Sequence, residues 1–161
     1  MSLDVSFKYE EFLKLERRLI LAGKDTDKRM KRANTAIAAT VKDLSSDYAP
    51  KSPTDAEAKA RGGKGSFNAV TALQNSIDMK ATVNFAEIFV PTNSNAGAYA
   101  LKMHDGKGTS WNNYGLGTIA KQQSGMKAGE KFIERAIADS EKDLITILDD
   151  EIKQIKKELS K

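Results

Sequence analysis

His104 is the one histidine of this 161-residue chain, and no cysteine accompanies it. Imidazole is the side chain best suited to move a proton near neutral pH. His104 is therefore the first residue to weigh as a general base, with acids such as Glu87 and Asp105 as its candidate partners. The nucleophile that such a base would activate is missing. There is no thiol, and no serine sits in a Gly-x-Ser-x-Gly elbow. A transition-metal site usually draws on two or three nitrogen or sulfur ligands, which one histidine cannot supply. Disulfide and thiolate chemistry are excluded with the cysteines. The residues thus predict no enzyme activity, no cofactor and no metal, and they leave His104 as a capping or packing residue at a helix end.

Two glycine-rich segments invite comparison with phosphate loops: Arg61-Gly-Gly-Lys-Gly-Ser66 and Gly106-Lys-Gly-Thr109. A phosphate loop needs glycines for close backbone approach, then a lysine followed directly by Ser or Thr where a helix begins. Neither segment has that order, so both read as flexible loops. A third cluster is basic: Lys28, Arg29, Lys31 and Arg32. Four charges in five positions wrap around a helix and present no single groove-reading face. They suit non-specific contact with a DNA backbone. No aromatic residues are interleaved for stacking on single strands.

The elements that would carry these residues follow from hydrophobic spacing. Apolar residues make up 40% and charged residues 30%, with 26 basic against 22 acidic side chains and a net charge of +4. That balance predicts one soluble domain over 1–161 with a mixed, solvated surface. The longest apolar runs are only a few residues, too short to span a bilayer. The start, Met1-Ser2-Leu3, lacks the basic flank and apolar run of a signal peptide and has the look of a cloning remnant.

Alternation from Asp4 to Tyr9 predicts a short strand or extended arm. Phe12, Leu15, Leu19 and Ala22 then share one face of a helix over Glu10–Ala22. From Thr26 to Tyr48 the apolar positions Met30, Ala33, Ile37, Val41, Leu44 and Tyr48 form a narrow stripe on a long helix. Pro50 and Pro53 stop it. Residues 50–66 and 105–125, rich in Gly, Pro, Asn and Ser, read as flexible loops. Between them, a short helix within Phe67–Ser76 precedes a hairpin: Ile77, Met79, Ala81 and Val83 alternate, Asn84 turns, and Phe85–Val90 returns. Ala96–His104 predicts a short helix, and Gly129–Leu159 a last long one. The expected fold is α+β: a small antiparallel sheet packed against two long helices, with a short N-terminal strand and helix. Its core should contain Phe12, Leu15, Leu19, Ile37, Val41, Leu44, Leu73, Ile77, Val83, Ile88, Phe132, Ile133 and Ile137.

The order of these pieces resembles the minor tail, or tail-completion, proteins of long-tailed bacteriophages and prophages, which act at the joint of head and tail. Thr71-Ala-Leu73-Gln-Asn-Ser76-Ile77 is similar to a Thr-Gly-x-Leu-x-x-Ser-Ile segment of that family, departs from it at Ala72 and is one residue shorter before Leu73. Tyr99-Ala100-Leu-Lys-Met-His104-Asp-Gly106 is similar to its Tyr-Ala-x-x-x-Glu-x-Gly segment, with His104 where an acid is common. Gly108-Thr109 echoes a Gly-Thr pair that follows there, and Phe132-Ile-Glu-Arg-Ala136 matches a Phe-Leu-x-x-Ala helix start. The long stretch from Lys51 to Asn68 is an insertion relative to the family pattern.

The resemblance implies a structural, non-catalytic protein that completes a tail tube or couples it to the head connector. It implies a homo-oligomeric ring, often a hexamer, that contacts tail-tube or connector proteins in a virion tail or neck, after synthesis in the bacterial cytoplasm. Arg61, Lys64, Trp111 and Tyr114 are then candidate assembly-loop residues. The competing expectation is a small DNA-associated protein using Lys28, Arg29, Lys31 and Arg32.

Overall fold

The computed structural model describes residues 3–6, 24–51, 53–62, 72–94, 96–105, 114–125 and 128–159, and of residues 3–6, 24–25, 98–99 and 158–159 it describes the backbone only. The chain runs β1 (Leu3–Ser6), α1 (Lys24–Tyr48), α2 (Asp55–Ala60), α3 (Ala72–Ser76), β2 (Asp78–Ala81), β3 (Ala86–Val90), α4 (Gly97–Asp105), α5 (Leu116–Gln123) and α6 (Phe132–Leu159). The class is α+β, rich in helix with a small antiparallel sheet. The expected helix over Glu10–Ala22, with Phe12, Leu15 and Leu19, lies outside the described residues, as do Phe7 and Tyr9 of the expected first strand.

β2 and β3 form the expected hairpin. Thr82 Oγ1 accepts from the backbone N–H groups of Asn84 and Phe85, each at 3.2 Å, which closes the turn. Asn34 of α1 donates its Nδ2 to the carbonyls of Thr82 and Val83, both at 2.9 Å, and so ties the turn to the helix. β3 buries Ala86, Ile88 and Val90 on one face, the period of two that a sheet imposes. It is the central strand, in the order β1-β3-β2. Leu3 pairs with Val90 on one side of it and Asp78 with Phe89 on the other. On the outer strand β2, the Met79 N–H is taken by the Asp78 carboxylate at 2.8 Å, a local acid that blunts a strand edge against pairing.

α1 packs against β2 and β3, and the extensive contact of α6 is with α1. One core runs through these layers. Ile37, Val41, Leu73, Ile77, Ile88, Phe132 and Ile133 are buried in it, as their spacing predicts, while Leu44, Val83 and Ile137 are half-buried against it. Burying such side chains fully stabilises the fold by about 1.5–3 kcal/mol each. Ile152 and Ile155 make a small second cluster toward the end of α6.

The two expected loops hold more regular structure than their composition predicts. Within 50–66, α2 is a capped helix: Thr54 Oγ1 accepts from Glu57 N–H, and the Glu57 carboxylate accepts from Thr54 N–H. Within 105–125, α5 spans Leu116–Gln123, and the buried Thr118 hydroxyl accepts from Lys51 N–H at 2.7 Å. Glycine and serine content misled here, because caps and tertiary bonds satisfied the backbone.

Candidate functional site

Pro50 stops α1 where its last carbonyls still need donors. Tyr48 O accepts from Gly129 N–H at 2.8 Å, and Asp47 O from Lys121 Nζ at 2.6 Å. Lys51 O accepts from Gly115 N–H at 2.8 Å. Tyr48 Oη donates to Asp139 of α6 at 2.8 Å. Burial first, then the hydrogen bond to Asp139, hold the Tyr48 phenol above its ordinary pKa. Gly129 is required at φ +124°, where a Cβ would also come within 2.9 Å of Gln122 Nε2. The C-terminal end of α1 is thus a hub that collects α5 and the start of α6.

Beside it lies the junction of α4 with α6. His104 is 4% exposed and meets the Phe132 ring edge-on, with centroids 5.3 Å apart. Its carbonyl accepts from Lys131 N–H at 2.7 Å, and Lys131 is held at a left-handed φ of 50°. Nδ1 lies 3.3 Å from the Asp105 carboxylate. Nε2 has the Glu134 carboxylate as its ion-pair neighbour and, among the described residues, no aligned hydrogen-bond acceptor. The two acids sit at opposite ring nitrogens, so one metal ion could not bind both and the ring. Among the described residues no group of three or more metal-ligating side chains occurs. Carboxylates are within reach of His104, as a general base requires, but the ring is packed into the protein instead of presented to solvent.

The quoted motif positions that are described are mainly core positions. Leu73, Ile77, Ala100, Phe132 and Ala136 are buried, and Ser76 is half-buried. The segments around His104 and Phe132, distant in sequence, meet directly at this junction. Thr71, Gly106, Gly108 and Thr109 lie outside the described residues, as does the side chain of Tyr99. Of the expected assembly-loop residues, Tyr114 is only 3% exposed, which corrects its placement in a flexible contact loop. Its carbonyl accepts from Arg61 Nη1 at 2.8 Å, so the two expected loops are bonded to each other. Lys64 and Trp111 lie outside the described residues.

The basic cluster divides. Arg29 pairs with Glu151 of α6 at 3.1 Å and is partly covered, whereas Lys28, Lys31 and Arg32 are exposed. Elsewhere on the surface, a shallow polar groove of about 470 Å³ is lined by Lys42, Ser76, Asp78 and Asn93 among others. Lys42 and Asp78 pair across it at 3.5 Å. Phe85, Leu116 and Ile145 are the large apolar side chains left exposed among the described residues.

Sequence reasoning missed Glu134 as the partner of His104, Asp139 as that of Tyr48, and Glu151 as that of Arg29. A pairing across so many residues leaves no local spacing to read. Only Asp105, adjacent to His104, was legible. Among the described residues no helix is long and apolar enough to cross a membrane. No family model matches the chain, and neither a curated protein nor a solved structure does.

Proposed function

We propose that this chain is a structural protein that acts by assembly, as a tail-completion or head–tail joining component of a phage or prophage. The observation that carries the reading is the junction of His104 with Phe132. Two of the segments that resemble the family are joined there in one packed contact, as expected of residues that maintain a shape. Single apolar side chains on the surface, Phe85 on its pinned turn above all, supply contact points for a neighbour. In this reading α1 backs the sheet and α6 packs on α1, copies of the chain close into a ring through heterologous contacts, and the ring sits in the tail or neck of a virion. No catalytic step is assigned to it.

The test is mass measurement by light scattering over a range of concentrations, alone and with tail-tube or connector subunits. Growth to a closed oligomer, or complex formation with either partner, is expected. A monomer that ignores both would overturn the reading.

A second reading keeps a specific observation. Lys28, Lys31 and Arg32 are exposed on the first turns of α1, where they could neutralise DNA phosphates. Gel retardation at low salt, lost in the Lys28→Gln, Lys31→Gln, Arg32→Gln variant, would support it. No retardation would remove it.

A further inference from the structure

We propose that the edge of β2 is a docking strip for a second copy of this chain, taken by that copy's β1 and held shut in the free chain by Asp78. On the reading of this chain as an assembly protein, the strip is a surface through which copies join. In the hairpin, Thr82 N–H donates to Phe85 O at 2.9 Å, so these two residues face each other as a bonded pair. Bonded pairs alternate with unbonded ones along an antiparallel ladder. Lys80 opposite Glu87 and Asp78 opposite Phe89 therefore also turn their backbone groups toward β3. Met79 and Ala81 turn theirs outward, away from the sheet. No donor or acceptor among the described residues meets the Ala81 N–H or the carbonyls of Met79 and Ala81. The outward Met79 N–H is taken by the Asp78 carboxylate at 2.8 Å, and Lys42 of α1 holds that carboxylate at 3.5 Å. A strand edge plugged in this way pairs only after the plug swings aside. The Asp78 side chain is 55% exposed, so the swing crosses no packed core.

The occupant follows from the topology. The order β1-β3-β2 leaves the sheet two different edges, and among the described residues β1 pairs with β3 alone. β1 and β2 both run antiparallel to β3, so they run parallel to each other. Rotation about an axis along the strands sets β1 of the next copy beside β2 in parallel. Repeating that rotation uses each edge once, which is a heterologous contact able to close into a ring. Pairing β2 with β2 of another copy would instead use one edge twice and end at a dimer. In the parallel pair, Met79 and Ala81 offer N–H and C=O to the incoming strand, the main-chain contact by which a strand adds to a sheet edge.

The experiment measures mass by light scattering against protein concentration, with a melting curve and amide hydrogen exchange at Ala81. It is run on the wild-type chain, on Asp78→Ala, and on Asp78→Ala combined with Ala81→Pro. Proline at 81 removes an outward N–H that the ladder to β3 does not use, a change that an edge strand tolerates. Asp78→Ala should associate at a concentration roughly fivefold lower than wild type, the size of one exchanged hydrogen bond. Its mass should pass that of a dimer, with the Ala81 amide protected in the assembly. Adding Ala81→Pro should return the chain to a folded monomer. If the proline chain melts early, the Ala81 amide of Asp78→Ala decides: protection on association supports the strip, and unchanged exchange overturns it. An Asp78→Ala chain that associates no better than wild type, stops at a dimer, or is indifferent to Ala81→Pro would overturn the proposal, while wild-type association would leave the assembly reading standing. Both fall if neither wild type nor Asp78→Ala associates and neither binds tail-tube or connector subunits.

Discussion

At its C-terminal end α1 is bonded to Gly129, Lys121 and Asp139, and Lys51 just past it to Gly115, while its N-terminal turns are tied to α6 through the Arg29–Glu151 pair. The first end buries Tyr48 and Ala49 and closes largely on backbone carbonyls. The second carries exposed lysines and arginine. The difference teaches where stability is concentrated. A bond to a buried carbonyl stabilises because leaving that carbonyl unpaired is costly. The Arg29–Glu151 pair, 21% and 16% exposed, contributes less, because the water both charges give up offsets most of their attraction.

The comparison can be broken in a definite order. Val41→Asp places an unpaired charge at a site with 0% exposure behind the hub. It should cost at least about 5 kcal/mol, enough to unfold most domains of this size. A wild-type melting curve would show that α1 is misplaced. Phe132→Ala, at another fully buried site where α6 starts, should cost about 3–5 kcal/mol through the cavity it leaves. Chemical denaturation measures it, and a loss below that of a surface substitution would show that the junction is not part of the core.

Tyr48→Phe removes the bond to Asp139 and should cost about 1–2 kcal/mol in the same assay. Its pH dependence has a fixed sign. The Tyr48 phenol is held above its ordinary pKa by burial and by Asp139, so the folded state keeps that proton more tightly than the unfolded chain does. The stabilising contribution is full below the ordinary tyrosine pKa and is lost as pH rises through the higher, folded value. Wild-type stability should therefore fall more steeply in alkali than that of Tyr48→Phe. The smallest effect belongs to the other end. Glu151→Gln should cost less than about 1 kcal/mol, and a larger loss would mean that the N-terminal turns of α1 are held as firmly as the hub.

Much of the scaffold was legible in advance. The stripe Met30, Ala33, Ile37, Val41 repeats at the helical period, and Pro50 cannot continue a helix, so α1 and its end were readable from spacing. Alternation through Met79 and Ala81, then Ile88 and Val90, marked the hairpin. The loops were misread for an equally physical reason. Composition reports what a segment can do when left to itself. It does not report that Thr54 and Glu57 cap each other, or that Lys51 bonds Thr118 and Gly115. Tyr114 looked exposed among glycines and asparagines but is packed inside.

The candidate site divides along the same line. Sequence by itself determined that one imidazole and no thiol are present, that basic residues cluster at Lys28–Arg32, and that the motif segments occur in order. Periodicity also determined which faces of the long helices are apolar, because that property is local to a few turns. Only the tertiary structure decided that His104 is buried between Asp105 and Glu134, that Arg29 is taken by Glu151 while its neighbours stay exposed, and that the end of α1 is the hub. Those outcomes depend on groups far apart along the chain, and the distance between them in space is set by packing, which no local spacing encodes.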